Sequence, residues 1–219
     1  GTDTSRITTR ATDDGAGGFV VRGRKIWTTK ALESEVCLLL ARTDDPDDGA
    51  GGASARFGGL SLFLVDLDPA HCEIAPIRKV GRNAVASCEV AYDELPVPGW
   101  RLVGERGRGF QQLLHGLNPE RILLAAMACG IGEAALRRAV GYAKERIVFD
   151  RPIGANQAIA HPLAQAHMQL HAAGLAWRDA ARRYDADHEC GAEANTAKYL
   201  AAEASFFAAD AAVQTHGGL

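Results

Sequence analysis

The sequence lacks both a long apolar run and an excess of charge of one sign. No apolar stretch approaches the ~20 residues that a membrane-spanning helix needs, and no signal peptide is recognisable. Its 24 lysines and arginines nearly balance its 27 aspartates and glutamates, which argues against a polybasic nucleic-acid-binding protein. A chain of 219 residues, 47% of them hydrophobic, can bury one or two cores. We therefore expect a soluble globular protein with no membrane span and no nucleic-acid partner.

Paired cysteines and metal-ligand clusters are also lacking. The five cysteines include no CxxC pair, which predicts free thiols in a reducing, cytoplasmic environment rather than a disulfide framework or a zinc site. His167 and His171 stand four residues apart and His161 precedes them, a spacing that can bind zinc. Because no acidic third ligand stands at a suitable offset, we expect partly exposed helix histidines and no metal. The cysteines are Cys37, Cys72, Cys88, Cys129 and Cys190.

Composition divides the chain into two halves. Residues 1–104 contain 17 valines and threonines and 12 alanines, whereas residues 105–219 contain 5 and 28. Valine and threonine favour strands and alanine favours helices, so we predict a β domain over residues 1–104 and a helical domain over residues 105–219. The sequence begins without an initiator methionine and stops just after a predicted helix. We therefore expect both domains to be parts of a longer protein.

Short β-rich runs in the first half are separated by turn residues, with no helices between them. This pattern predicts an antiparallel sheet rather than a parallel nucleotide-binding sheet, and the glycines at 104, 107 and 109 lack the βαβ unit of a phosphate loop. Residues 44–59, rich in aspartate and glycine, predict a mobile loop. The predicted strands are residues 5–12, 19–27, 36–42, 60–67, 73–77 and 87–92.

The second half predicts three long helices in an up-down bundle. Asn118, Pro119 and Glu120 form a helix start, with an N-cap, a first-position proline and an acid near the positive end of the dipole. This helix should run to about Arg146, with a buried stripe of Leu124, Ala128, Ile131 and Ala135.

The next two helices carry apolar seams at alternating spacings of three and four residues, and the all-alanine seam allows a close neighbour. A fourth helix would be missing or supplied by another chain. The seams are Leu163, Ala166, Leu170, Ala173, Trp177, Ala180 and Tyr184, then Ala194, Ala197, Ala201, Ala204, Ala208 and Ala211.

Five stretches, in order along the whole chain, resemble motifs of the acyl-CoA dehydrogenase family. That family has an N-terminal helical domain, a middle β domain and a C-terminal four-helix bundle, with FAD between them. The resemblance therefore implies a multidomain α+β fold of which this chain holds most of the β domain and about three of the four helices. The stretches are GTD (1–3), GRKIWTT (23–29), LNPER (117–121), ERIVF (145–149) followed by NQAI (156–159), and VQTHGG (213–218).

The resemblance implies contacts between the β domain and the flavin. Trp27 would lie against the ring system, with the hydroxyl of Thr29 near flavin N5 and Thr28 between them. A hydroxyl two residues after an aromatic ring lies on the same side of a regular strand. The alternative is a half-buried strand tryptophan beside surface threonines, which is common. Lys30 and Ala31 follow where the family often has Asn-Gly.

A second set of implied contacts lies in the helical half. Arg146, Phe149 and Gln157 resemble the segment that crosses to a neighbouring subunit and holds the pyrophosphate and adenine of its FAD, which suits a planar guanidinium. Gln214, Gly217 and Gly218 match the Gln-x-x-Gly-Gly turn that touches the same FAD. The alternatives are an arginine at a helix C-terminus and a glycine C-cap. Val148 and Asp150 depart from the family's usual Thr and Gly, so one hydrogen bond to FAD is expected to be missing.

Glu120 is the implied catalytic base. Isovaleryl- and long-chain acyl-CoA dehydrogenases carry the base on the helix where this chain has Pro119-Glu120-Arg121, whereas most relatives carry it further along the bundle. One carboxylate must take the proton next to the thioester. The alternative is an acid that only caps a helix dipole. Thr2, Asn118 and Arg121 match positions that contact acyl-CoA.

The resemblance implies α,β-dehydrogenation of an acyl-CoA, with FAD as cofactor and an electron-transfer flavoprotein as acceptor. It also implies a homo-oligomer, a tetramer or dimer, because residues of one subunit contact the FAD of another. Two alternatives remain open at this point. One is a flavin oxidase or monooxygenase on the same scaffold, and the other is a non-catalytic helical oligomerisation module.

Overall fold

A computed structural model describes residues 3–44 and 57–218. The chain forms two compact units, Gly1–His115 and Gly116–Leu219. Thr2 and most of the predicted loop at residues 44–59 lie outside the described residues.

The first unit is built on a seven-stranded sheet in the order β5-β6-β2-β1-β3-β4-β7. The named pairs run antiparallel except β1 and β3, which run parallel at Arg10 and Arg42, so the predicted antiparallel sheet is in fact mixed. The strands are β1 (Arg10–Asp13), β2 (Phe19–Thr29), β3 (Val36–Arg42), β4 (Leu60–Asp66), β5 (Cys72–Pro76), β6 (Ser87–Val97) and β7 (Leu102–Val103).

The first predicted strand is wrong in its N-terminal half. A short 3-10 turn, Thr4–Arg6, occupies that position and β1 starts only at Arg10. The Asp3 carboxylate accepts a hydrogen bond from the Ser5 amide at 3.2 Å, which favours a turn over an extended backbone.

Alternation along the strands places one face of the sheet in a core. On β6, Cys88, Val90 and Tyr92 are buried at every second position. Phe19 meets Phe63 edge to face with ring centroids 5.0 Å apart. This core gives the strands a fixed register.

Arg42 is a buried cation held by main-chain carbonyls. Its residue is 6% exposed, and its guanidinium donates to the carbonyls of Ser5 at 2.9 Å, Gly58 at 3.2 Å and Ile7 at 3.3 Å. Those bonds replace the water that the guanidinium loses on burial. They tie the turn before β1 to the end of β3.

The predicted helix start at Asn118 is wrong. The first helix, α1 (Gly109–Glu145), begins nine residues earlier and contains Pro119 in its interior. Phe110 and Leu113 in its first turns pack against the cluster of Leu40, Leu60 and Leu62. This burial offsets the ~3 kcal/mol that an interior proline costs a helix.

The second unit is an alanine-rich helical bundle. After α1, the short strands β8 (Ile147–Val148) and β9 (Arg151–Pro152) form a hairpin that leads to α2 (Gln157–Asp185) and α3 (Gly191–His216). All six predicted alanines of α3 are buried, as are five of the seven α2 seam residues, whereas Trp177 is half-buried and Tyr184 exposed. Among the helices described, none combines the length and apolar character needed to cross a bilayer.

The predicted buried stripe of α1 is wrong in its phase. Leu124, Ala128 and Ala135 are only half-buried, and Ile131 is 55% exposed. The stripe beside it is rich in small side chains, which let α2 and α3 approach α1 closely, as they do at Gly132. The buried stripe consists of Ile122, Ala125, Cys129, Gly132, Leu136, Ala139 and Ala143.

Candidate active site

The end of β2 exposes an aromatic ring on an irregular backbone. One extra residue of β2 lies between its pairings with β6 at Lys25 and Thr28, so the strand bulges there. Trp27 adopts a left-handed conformation, with φ of 69°, and is 58% exposed. The regular alternation predicted for Trp27 and Thr29 is therefore interrupted by a bulge. An outlier of this kind is typical of functional sites.

Lys25, just before this bulge, has an unusual electrostatic environment. It is half-buried on β2. Burial lowers the pKa of its ammonium to about 8, against a weaker opposing effect of the neighbouring Cys37. Burial also raises the pKa of the Cys37 thiol, which accepts a hydrogen bond from the Tyr92 hydroxyl at 4.0 Å. Burial thus shifts both groups towards their neutral forms.

One turn of α1 carries the predicted base Glu120 and two of the predicted substrate-binding residues, Asn118 and Arg121. The Arg121 guanidinium donates to the Asn118 side-chain oxygen at 3.1 Å, and both residues are half-buried. Glu120 lies between them in sequence and is exposed. Because α1 begins at Gly109, Glu120 lies beyond the first turn and is not stabilised by the helix N-terminus.

The β8–β9 hairpin displays Phe149 at its tip. Phe149 and Asp150 both have positive φ, 53° and 61°, as the two central residues of a type I′ turn require. Phe149 is 91% exposed, and Arg146 beside the hairpin is also exposed. A bulky exposed residue at positive φ is strained and gains no burial in return.

The corner after the hairpin fixes the start of α2. Arg151 donates to the Asn156 side-chain oxygen at 2.6 Å, and the Asn156 side-chain amide donates to the Ile153 carbonyl at 3.1 Å. Gln157 follows as the first residue of α2 and is exposed.

The last turn of α3 presents the glycine-rich motif. Gln214, Gly217 and Gly218 are exposed, whereas Thr215 is buried and its hydroxyl donates to the Ala211 carbonyl at 2.7 Å. Gly217 ends the helix with φ of 69°, and its amide donates to the Val213 carbonyl at 3.2 Å. The glycine therefore serves as a C-cap while leaving its backbone accessible.

The residues of the second unit form two groups far apart on one helix. Glu120 lies near the start of this unit, while Arg146 follows the end of α1 at Glu145. At 1.5 Å per residue the separation is roughly 35–40 Å along the axis. Arg146 and the end of α3 lie near each other, because the rings of Tyr142 and His216 stack with centroids 4.7 Å apart. Sequence reasoning missed this pair, although His216 stands inside the glycine-rich motif.

The histidines considered as metal ligands lie on α2. His161, His167 and His171 are exposed, and the rings of the last two have centroids 6.4 Å apart. In the part of the chain that the structure describes, no three His, Cys, Asp or Glu side chains are grouped as a metal site requires. All five cysteines are free thiols, four buried and Cys37 half-buried.

Comparison with known families identifies the class of protein. Residues 1–95 match the acyl-CoA dehydrogenase middle domain, and residues 107–219 match the acyl-CoA dehydrogenase C-terminal domain. The chain belongs to the acyl-CoA dehydrogenase family.

Individual relatives extend this match over the whole chain. Acyl-CoA dehydrogenase FadE12 of Mycobacterium tuberculosis is 39% identical over 222 aligned positions, covering 100% of this chain and 55% of the relative. Butyryl-CoA dehydrogenase of Megasphaera elsdenii is 30% identical with a TM-score of 0.92, covering 100% and 55%. A structure described as the FAD complex of PigA is 25% identical with a TM-score of 0.90, again covering 100% and 55%. The chain thus spans about half the length of these relatives.

Proposed function

We propose that the longer protein to which this chain belongs is an FAD-dependent acyl-CoA dehydrogenase. It would oxidise an acyl-CoA thioester between its α and β carbons. The observation that carries the proposal is the match of both family domains, in order, over residues 1–95 and 107–219.

Three side chains fit FAD as a ligand. Trp27 and Phe149 offer flat apolar rings that are 58% and 91% exposed. Arg146 is exposed and makes no side-chain hydrogen bond or ion pair within residues 3–44 and 57–218. Exposed rings and an available guanidinium suit an aromatic flavin and its pyrophosphate. Thr28, Thr29, Gln157, Gln214, Gly217 and Gly218 would supply further contacts.

Glu120 would act as the base. Its carboxylate would take the proton from the carbon next to the thioester, in a pocket that bound substrate keeps dry. FAD, when bound, would accept the hydride that leaves the β carbon. Arg121, held by Asn118, would orient the acyl-CoA, and Thr2, outside the described residues, would contact it as well.

The length of α1 supports a shared arrangement of subunits. Glu120 and Arg146 are roughly 35–40 Å apart along the helix, a longer span than one extended dinucleotide covers. One subunit would therefore supply Glu120 to its own site and Arg146 to the FAD of a neighbour. We propose a homo-oligomer, most simply a tetramer built as a dimer of dimers.

An electron-transfer flavoprotein would be the electron acceptor of the complete protein, which would work in the cytoplasm. Four buried cysteines and one half-buried cysteine, all free, suit a reducing cytoplasm.

The test is an absorption spectrum of the complete purified protein, followed by anaerobic titration with butyryl-, isovaleryl-, octanoyl- and palmitoyl-CoA. We expect a flavin spectrum that at least one acyl-CoA bleaches. A colourless protein would support a non-catalytic module instead. A bleached flavin that regains its colour within seconds in air would indicate the oxidase or monooxygenase alternative.

A further inference from the structure

The C-terminal parts of α1 and α3 lie side by side. A groove of about 420 Å³ runs between them, lined on one side by Ala135 and Arg138 and on the other mainly by Ala209, Ala212 and Gly217. The hairpin after α1 and the glycine turn after α3 therefore leave the bundle at neighbouring points.

One aromatic pair joins these two points. The rings of Tyr142, in the last turn of α1, and His216, the last residue of α3, stack with centroids 4.7 Å apart and an interplanar angle of 20°. Both residues are half-buried. The imidazole is further fixed because its Nδ1 donates to the Ala212 carbonyl at 2.8 Å.

The backbone connects each ring closely to a proposed FAD contact. The Tyr142 carbonyl accepts the Arg146 amide at 2.8 Å, and the Arg146 carbonyl accepts the Ile153 amide at 2.9 Å, which holds both sides of the hairpin. On the other helix, His216 directly precedes Gly217, where the backbone turns to a φ of 69°. A rotation of either helix end would move its contact residues relative to the other set.

We infer that Tyr142 and His216 are positioning residues that hold the hairpin of Arg146 and Phe149 in register with the turn of Gln214 and Gly218. Held in that register, both segments can bind one dinucleotide at once. This inference rests on the proposed function. Neither ring needs to touch FAD; the stack lowers the reorganisation that FAD binding would otherwise require.

The test is a double-mutant cycle on the complete holoenzyme, with FAD itself as the probe. FAD is removed, and its dissociation constant is measured for Tyr142→Leu, His216→Leu and the double variant, since leucine fills space without stacking. We expect each single change to weaken FAD binding about 3- to 10-fold, the range of couplings between aromatic pairs. The double variant should bind FAD as tightly as the single variant with the lower affinity.

Conservative variants and a matched control separate positioning from stability. Tyr142→Phe and His216→Phe keep a ring and should bind FAD within twofold of the wild type. Tyr184→Leu changes an exposed tyrosine at the end of α2 and should have no effect. With saturating FAD, kcat should remain unchanged in all of them, because Glu120 is distant.

Two results would overturn the inference. One is normal FAD affinity in the leucine variants, even if their apoproteins unfold at a lower denaturant concentration than the wild type. The other is strictly additive losses, which would mean that the rings act separately. If the wild type binds no FAD, the proposed function fails together with this inference; if it binds FAD and the variants do too, only the inference fails.

Discussion

Gly132 of α1 lies so close to Ser205 of α3 that a β carbon added to the glycine would stand 3.0 Å from the serine Cα. The same atom would stand 2.6 Å from a methyl carbon of Leu170 on α2. The three helices are therefore in close contact at this glycine, which is buried. Small residues at this point allow the close contact of the helices.

Replacing Gly132 by alanine should therefore destabilise the protein by about 1–3 kcal/mol, because the helices must move apart. Gly130, two residues earlier, has no atom within 4 Å of an added β carbon. Gly130→Ala should instead stabilise by about 0.5–1 kcal/mol through helix propensity. Denaturant unfolding of both variants and the wild type measures whether each change lowers or raises the free energy of unfolding. Equal effects would show that the close helix approach is not what requires glycine at 132.

Lys25 should make stability depend on pH. Its pKa is about 8 in the folded protein, below the 10.5 of a free lysine, so folding disfavours the protonated form. The penalty is complete below pH 8 and disappears as the pH rises towards 10.5. Lys25→Met should thus stabilise by about 1–2 kcal/mol at pH 7, and this advantage should shrink steadily as the pH rises from 8 to 10.

Unfolding midpoints at pH 7, 8.5 and 10 check this, with Lys198→Met as a control because Lys198 is exposed on α3. A constant difference between Lys25→Met and the wild type across this range would contradict the prediction.

Periodicity predicted most of the fold, but failed where tertiary contacts override local signals. The α3 seam was predicted completely, since alanine repeats at helical spacing have few alternatives. The start of α1 was not, because Asn118 and Pro119 carry a strong local signal. The contacts of Phe110 and Leu113 with β3 and β4, which outweigh it, are distant in sequence.

In the candidate site, too, local motifs could be recognised in the sequence, whereas features that depend on distant contacts could not. Motif resemblance suggested Glu120 and Arg146, whose roles stay predictions, but alternation along β2 missed the bulge before Thr28, because a bulge depends on pairing with β6. Tyr142 and His216 are 74 positions apart in sequence, and no sequence pattern around either residue predicts that they stack. Pairing between distant segments was the information that the sequence did not provide.

Arg146→Ala should weaken FAD binding in the complete protein by about 10- to 100-fold. A charge-assisted hydrogen bond contributes ~1.5–3 kcal/mol, and the exposed side chain contributes little to folding. Arg137→Ala removes an exposed arginine of α1 and serves as the control. FAD titration and circular dichroism measure affinity and helix content. A monomeric holoenzyme with normal affinity would contradict the intersubunit contact.

Phe149 should lower the stability of the apoprotein and strengthen FAD binding. Glycine avoids the cost of ~1–2 kcal/mol for a left-handed residue, so Phe149→Gly should stabilise the apoprotein by up to ~1 kcal/mol. The same change should weaken FAD binding, because the exposed ring is lost. Asp150→Gly relieves the neighbouring residue, also at positive φ, and should stabilise without weakening FAD binding. If Phe149→Gly left FAD affinity unchanged, the strained ring would have no role at the cofactor.

Glu120→Gln should separate binding from chemistry. Glutamine keeps the shape of the side chain but cannot accept the proton, so FAD and acyl-CoA should bind nearly as in the wild type. The rate at which acyl-CoA bleaches the flavin should nevertheless fall at least ~10²-fold, the low end for losing a positioned base. Glu133→Gln, an exposed carboxylate further along α1, should leave that rate unchanged. Stopped-flow absorbance under anaerobic conditions measures both. Rapid bleaching by Glu120→Gln would exclude Glu120 as the base and require another carboxylate of the complete protein in that role.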